Sequence, residues 1–76
     1  MKTTQYFQFR RQLGDRVAIT DEIIQSVLES PLKTETQEDG RIRVWGKVAE
    51  GKILRVILLE DGETVHNAFF DRNFKE

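Results

Sequence analysis

Three dipeptides, Asp39-Gly40, Glu50-Gly51 and Asp61-Gly62, cut the second half of the chain into four short runs, "KTETQ", "RIRVWGKV", "ILRVILLE" and "ETVHNAFF". The runs are rich in β-branched and aromatic residues, and Asp-Gly between such runs signals a two-residue hairpin turn of the primed type. The segment therefore predicts a four-stranded antiparallel meander. No repeat, linker or low-complexity stretch interrupts it.

The first half has a helical period instead. In "TTQYFQFRRQL" the apolar residues Tyr6, Phe9 and Leu13 form an i, i+3, i+7 stripe widened by Phe7, with Arg10 and Arg11 on the other side, until Gly14-Asp15 breaks the pattern. In "ITDEIIQSVLESP" Thr20 is a good N-cap, and Asp21 and Glu22 suit the positive end of a helix dipole. Ile19, Ile23 and Val27 share a face with Ile24 and Leu28 beside them, and Pro31 ends the run. The expected fold is α+β, two N-terminal helices followed by the meander (ααββββ), in one domain over residues 1–76.

At 76 residues the chain buries only about 60% of its unfolded surface, so its stability margin is thin and a partner would help. It has no cysteine and one histidine. Disulfides, thiolate metal sites and His-rich sites are thereby excluded; no cofactor is expected, and only an oxygen-ligand ion stays open. The longest apolar run, Val56 to Leu59, is far too short to span a bilayer, and no signal-type segment precedes it. A soluble, cytoplasmic protein without a membrane partner is the expectation. The net charge of −1 argues against a strong nonspecific nucleic-acid binder but leaves room for a local basic patch.

Two-residue turns would fix the strand registers. They pair Ile57 with His66, Arg55 with Ala68 and Gly46, Ile57 with Val44, and Glu35 with Val44, all on one face with Ile42, Ile53, Leu59 and Phe70. Arg55 would then stand between two small residues, diagonal to His66. Arg43, Trp45, Leu54, Val56, Leu58, Val65 and Phe69 would occupy the other face. A strand such as "ILRVILL", apolar on both sides, asks for cover on both. Two short helices cover one face, which implies either an exposed apolar surface awaiting a partner or a sheet curled on itself.

Two residues carry candidate catalytic chemistry. His66 titrates near neutrality, which suits a general acid or base, or it is a half-buried structural histidine. Arg55, mid-strand in an apolar run, must meet a carboxylate such as Glu35 or await an anion. Arg41, Arg43 and Lys47 alternate with apolar residues around Trp45, a pattern that suits stacking and phosphate contact with single-stranded RNA or an ordinary solvated strand face. Arg10-Arg11 reads as an outer helix face, and Asp71-Arg72 as a local ion pair. No Gly-rich phosphate loop, nucleophile elbow or cysteine nucleophile is present.

The order "F-x-F-R-R … R-x-x-I-T-x-E-I-I-x-x-V-L-E-x-P … D-G-R-I-R-V-W-G … L-R-V-I-L-L-E-D-G-E-T-V-H-N-A-F-F-D-R", from about Phe7 to Arg72, resembles short bacterial and phage-borne proteins of unknown function. Their layout is similar to that of BrnT-type and RelE-type ribonuclease toxins. The resemblance implies two helices, a curled antiparallel sheet holding RNA, and cleavage without metal. His66 would be the acid or base, Arg55 the phosphate clamp, and Arg43 and Trp45 a secondary RNA surface, although the two-residue-turn register puts those two on the opposite face. An antitoxin-like protein would neutralise it. Relatives often carry a histidine in the first helix, where this chain has Phe7 and Phe9, and the toxins are generally basic.

Two functional classes follow. One is a metal-independent endoribonuclease of toxin type, or a degenerate relative. The other is a non-enzymatic interaction module, a homodimer or accessory subunit docking through its leftover apolar sheet face.

Overall fold

In the computed structural model, which describes residues 1–49 and 51–75, the elements run α1 (Gln5–Arg10), a 3-10 helix (Gly14–Ala18), α2 (Asp21–Glu29), β1 (Lys33–Thr36), β2 (Ile42–Ala49), β3 (Lys52–Leu58) and β4 (Val65–Phe70). The expected α+β order holds, with an antiparallel sheet in the order β1-β2-β3-β4. Two expectations are corrected. The sheet is open and not strongly curled, because the helices cover one of its faces and nothing forces closure. Only α2 is a helix of several turns; α1 stops after six residues.

The second helix forms where its caps and period put it. The Thr20 hydroxyl accepts from the Ile23 N–H at 3.2 Å, Asp21 and Glu22 occupy the first turn, and Ser30 ends the helix before Pro31. Ile24 and Val27 are fully buried, each stabilising the fold by about 1.5–3 kcal/mol relative to exposure. The first helix departs from its stripe. Thr4 caps it through the Phe7 N–H at 3.1 Å, and Phe7 alone enters the core, while Tyr6, Phe9 and Leu13 stay exposed. An i, i+7 stripe needs two full turns, and α1 has ended at Arg10 before Leu13 can join it.

The core is a single layer between α1, α2 and one sheet face. Phe7, Ile19, Ile24 and Val27 pack on Val44, Leu54, Val56, Leu58, Val65 and Ala68. Gly46 belongs to this face. A Cβ there would lie 2.8 Å from Val27 Cγ1, so the missing side chain lets α2 approach the sheet.

Each hairpin meets one residue away from the two-residue expectation over most of its length. Between β1 and β2 the chain uses a three-residue loop, Glu38, Asp39 and Gly40. Gln37 N–H donates to the Arg41 carbonyl at 2.7 Å, Gly40 N–H donates to the Gln37 carbonyl at 3.0 Å, and Gly40 takes φ +90°. Glu35 therefore faces Arg43, not Val44. In the second hairpin Ala49 pairs with Lys52 as expected, but Val48 bulges and the register slips, so that Trp45 faces Arg55. Gly51 has φ +75°; Glu50, the other half of that turn, lies outside the described residues. In the third, Leu58 pairs with Val65 as the turn requires, and then Ile57 pairs with Asn67. His66 is the extra residue of this second bulge. The bulge lets Val65 and Ala68, three apart, both face the core.

These one-residue shifts re-sort the two faces. Leu54, Val56, Leu58 and Val65 share the core face with Val44, Gly46 and Ala68, not with Arg43, Trp45 and Phe69. The opposite, outer face carries Arg43, Trp45 and Lys47 of β2, Arg55 and Ile57 of β3, and Asn67 and Phe69 of β4. It mixes cations and aromatic rings with Ile53 and Ile57, so it is not the continuous apolar face expected.

Candidate functional site: a cationic depression on the outer sheet face

Arg55 sits mid-strand with a quarter of its side chain exposed. Its neighbours are not the small residues expected from two-residue turns but two aromatic rings. The guanidinium carbon lies 5.2 Å from the centroid of Trp45 and 5.4 Å from that of Phe69, contacts that favour a cation over an apolar ring. Its nearest carboxylate is Asp71, not Glu35, and Nε lies 3.9 Å from Asp71 Oδ2. That is an ion-pair distance and too long for a hydrogen bond. Among the described residues, the buried Arg55 Nε finds no hydrogen-bond acceptor.

The other cations of the face differ in how firmly they are held. Arg43 donates from Nη1 to Glu35 Oε1 at 3.2 Å. With its amide turned to satisfy both groups, the Gln37 side-chain carbonyl accepts from Arg43 Nε and Nη2 at 3.3 Å each. Among the described residues Arg41 reaches only Asp39, at 3.8 Å. Lys47 is exposed further along β2, outside the depression described next. Trp45 is 5% exposed although it lies on the uncovered face.

Arg41, Arg43, Arg55 and His66 line one depression of about 480 Å³ together with Tyr6, Gln37, Ile57, Asn67 and Phe69. No carboxylate lines it among the described residues. The register derived from two-residue turns separated Arg43 from Arg55 and His66; the observed register unites them. Trp45 shares the face but lies beside the depression.

His66 is tied to the start of the chain. Residues 2–4 run along β4: Val65 N–H donates to the Lys2 carbonyl at 2.8 Å and Thr4 N–H to the Val65 carbonyl at 3.0 Å. That pairing brings the Thr4 hydroxyl to 3.2 Å from His66 Nδ1 and stacks the Tyr6 ring on the imidazole, with centroids 5.0 Å apart at 22°. Burial, and secondarily the positive charge of Arg41, pull the imidazole pKa below its ordinary 6.5. Both causes favour the neutral ring.

Asp71 does not pair with Arg72 as the sequence suggested. Its Oδ2 accepts from the Trp45 indole N–H at 2.9 Å and faces Arg55, and its Oδ1 accepts from the Asn73 N–H at 3.0 Å. The indole hydrogen bond is the main reason the Asp71 carboxyl stays below its usual range. Thr4, Tyr6, Gln37 and Asp71 all shape the site, and none was expected there. The helical stripe of Tyr6, Phe9 and Leu13 gives no sign of a site, and only the cap pattern of Thr4 before "QYF" is readable in the sequence.

Arg10 and Arg11 face differently. Arg11 Nη2 donates to the Ile19 carbonyl at 3.1 Å and to Asp21 at 2.7 Å, pinning α1 to the start of α2. Among the described residues no group of three His, Asp or Glu side chains could hold a metal ion, and no helix is long and apolar enough to cross a membrane.

Comparison with protein-family models, curated proteins and solved structures returns no match. The functional reading therefore rests on the geometry of this depression.

Proposed function

We propose that the outer sheet face binds single-stranded RNA and cleaves it without a metal. The observation that carries this reading is the convergence of Arg41, Arg43, Arg55 and His66 on one depression without a carboxylate. Clustered guanidinium groups match phosphate in charge and hydrogen-bonding geometry, and the Tyr6 and Phe69 rings supply stacking area. With Nδ1–H donated to the Thr4 hydroxyl, His66 Nε2 carries the lone pair of a neutral imidazole. It takes the proton of a ribose 2′-OH as that oxygen attacks phosphorus. The P–O5′ bond breaks, leaving a 2′,3′-cyclic phosphate and a 5′-oxygen that takes a proton from solvent. Arg55 and Arg41 stabilise the added charge on the phosphoryl oxygens.

The test is cleavage of RNA by purified protein in excess chelator, beside His66→Ala and Arg55→Ala. Survival in chelator with a drop of at least about a hundredfold on loss of His66 supports the reading. Equal cleavage by all three identifies a contaminant, and none by any of them rejects the nuclease.

A second reading, a non-enzymatic interaction module, is favoured by a different surface. Phe9 is 63% and Val17 65% exposed, and Tyr6 and Leu13 are also open, which makes α1 and the 3-10 helix an apolar contact surface. A second copy of the chain or an antitoxin-like protein would cover it. A mass that rises with concentration in light scattering, abolished by Phe9→Glu, supports this reading.

A further inference from the structure

Trp45, the only tryptophan of the chain, lies on the uncovered face yet is only 5% exposed. Its cover is the segment that follows β4. Phe74 stacks on the indole with centroids 5.4 Å apart at 25°. Asp71 accepts the indole N–H at 2.9 Å and sets its negative charge 3.9 Å from Arg55 Nε. An aromatic ring stacked on tryptophan with an anion beside an arginine is the arrangement a nucleotide makes on a single-strand-binding surface.

We propose that Trp45 is a second, base-stacking subsite for the RNA strand and that residues 71–74 occupy it as a nucleotide mimic when RNA is absent; this rests on the RNA-binding reading above. Phe74 stands in for a base and the Asp71 carboxylate for a phosphate. The mimicry is incomplete in one place. Among the described residues Arg55 Nε is buried without a hydrogen-bond acceptor, and such a group costs free energy until one arrives. A phosphate oxygen within about 3 Å would supply it. Arg55 also lines the depression, so one guanidinium joins the two subsites. Lys33 Nζ, 5.5 Å from the Trp45 centroid, adds a cation at the far side of β2.

The strap is built to open. Asp71 N–H stays anchored to the Ile53 carbonyl at 2.9 Å, while Arg72 and Asn73 are exposed. Phe74 can therefore leave Trp45 by rotation about residues 72 and 73, which gives up the turn bond from Asn73 N–H to Asp71 Oδ1 but breaks no strand pairing. RNA must displace it to reach the indole, and removing the Phe74 ring strengthens binding.

The probe is a fluorescein-labelled 2′-O-methyl oligouridylate of about ten nucleotides, a length within the range small single-strand-binding domains cover, which resists cleavage at the 2′ position. Its anisotropy is titrated with wild type, Phe74→Ala, Phe74→Tyr, Asp71→Asn and Arg41→Ala, with Trp45 emission followed on unlabelled probe. The expected result is at least about fivefold tighter binding by Phe74→Ala, the low end of what one base stacked on an aromatic contributes. Phe74→Tyr should match wild type, Arg41→Ala should bind more weakly, and saturation should quench Trp45. Asp71→Asn, which keeps an oxygen for the indole N–H and loses the charge, should also bind more tightly; it decides the matter if Phe74→Ala has lost its circular dichroism. Binding by Phe74→Ala alone would support the subsite with a closed wild type. Unchanged or weaker binding by Phe74→Ala and Asp71→Asn, with Arg41→Ala still defective, would overturn the subsite and leave the depression standing. No binding by any variant would overturn both.

Discussion

The Thr4 hydroxyl, which caps α1 through the Phe7 N–H, lies 3.2 Å from Nδ1 of His66, 62 residues away in the chain. One side chain therefore starts a helix and orients the imidazole at a strand bulge. Thr4→Ala removes both contacts. The expected loss is about 1 kcal/mol of stability, read by urea denaturation, together with a change in the His66 ring resonances that Thr4→Ser restores.

His66 makes stability depend on pH near neutrality. Its folded pKa lies below the ordinary 6.5 because of burial and then Arg41. The unfolded chain therefore binds the proton first as pH falls, and the stabilisation present above about 6.5 is lost as pH drops through the folded value. Denaturation at about pH 7.5 and about pH 5.5 should show wild type weakening more than His66→Gln. If His66 is the base in RNA cleavage, the rate should rise with pH over the same window and level off by neutrality.

Asp61 governs a lower window. It accepts from the Thr64 hydroxyl and from the backbone N–H groups of Thr64 and Glu63, which hold its carboxyl down to about 2. The unfolded carboxyl titrates near 3.9, so this stabilisation is present above that pH and is lost as pH falls through about 2. Asp71 is lowered in the same direction. Asp61→Asn should flatten part of the acid limb of stability between about pH 4 and about pH 2, leaving the Asp71 share.

Gly46 tests the packing of α2. An added Cβ meets Val27 at 2.8 Å on Cγ1 and 3.0 Å on Cγ2, and a β-branched residue in a helix has little χ1 freedom to yield. Ala is ordinarily better than Gly in a strand by about 0.5–1 kcal/mol, but overpacking here should cost about 1–3 kcal/mol and win. Gly46→Ala should lower Tm, and Val27→Ala in the same chain should recover part of the loss in a double-mutant cycle.

Arg41 tests the charge of the depression. Among the described residues its one ion-pair partner is Asp39, at 3.8 Å, so Arg41→Gln should leave the fold intact. The slope of log Kd against log salt for single-stranded RNA should become shallower by about 0.7, the contribution of one phosphate contact. An unchanged slope would place the RNA elsewhere.

Hydrophobic period and turn chemistry made much of this fold legible from the sequence alone. Four alternating runs between glycine-bearing turns give four antiparallel strands, and Thr20, the Ile24/Val27 period and Pro31 mark out α2, because these are local properties of the chain. Which residues share a face was not local. A three-residue loop before Arg41 and single bulges at Val48 and His66 each moved a register by one, and a one-residue shift turns a strand's side chains to the opposite face. The tertiary structure made that choice through packing. Val27 needs the space of Gly46, and Val65 and Ala68 can both enter the core only with His66 bulged between them. That choice carried Arg43 to the side of Arg55 and His66. Tyr6 reached the site for a similar reason, since Phe7 took the single core place α1 could fill and left its neighbour to stack on the imidazole.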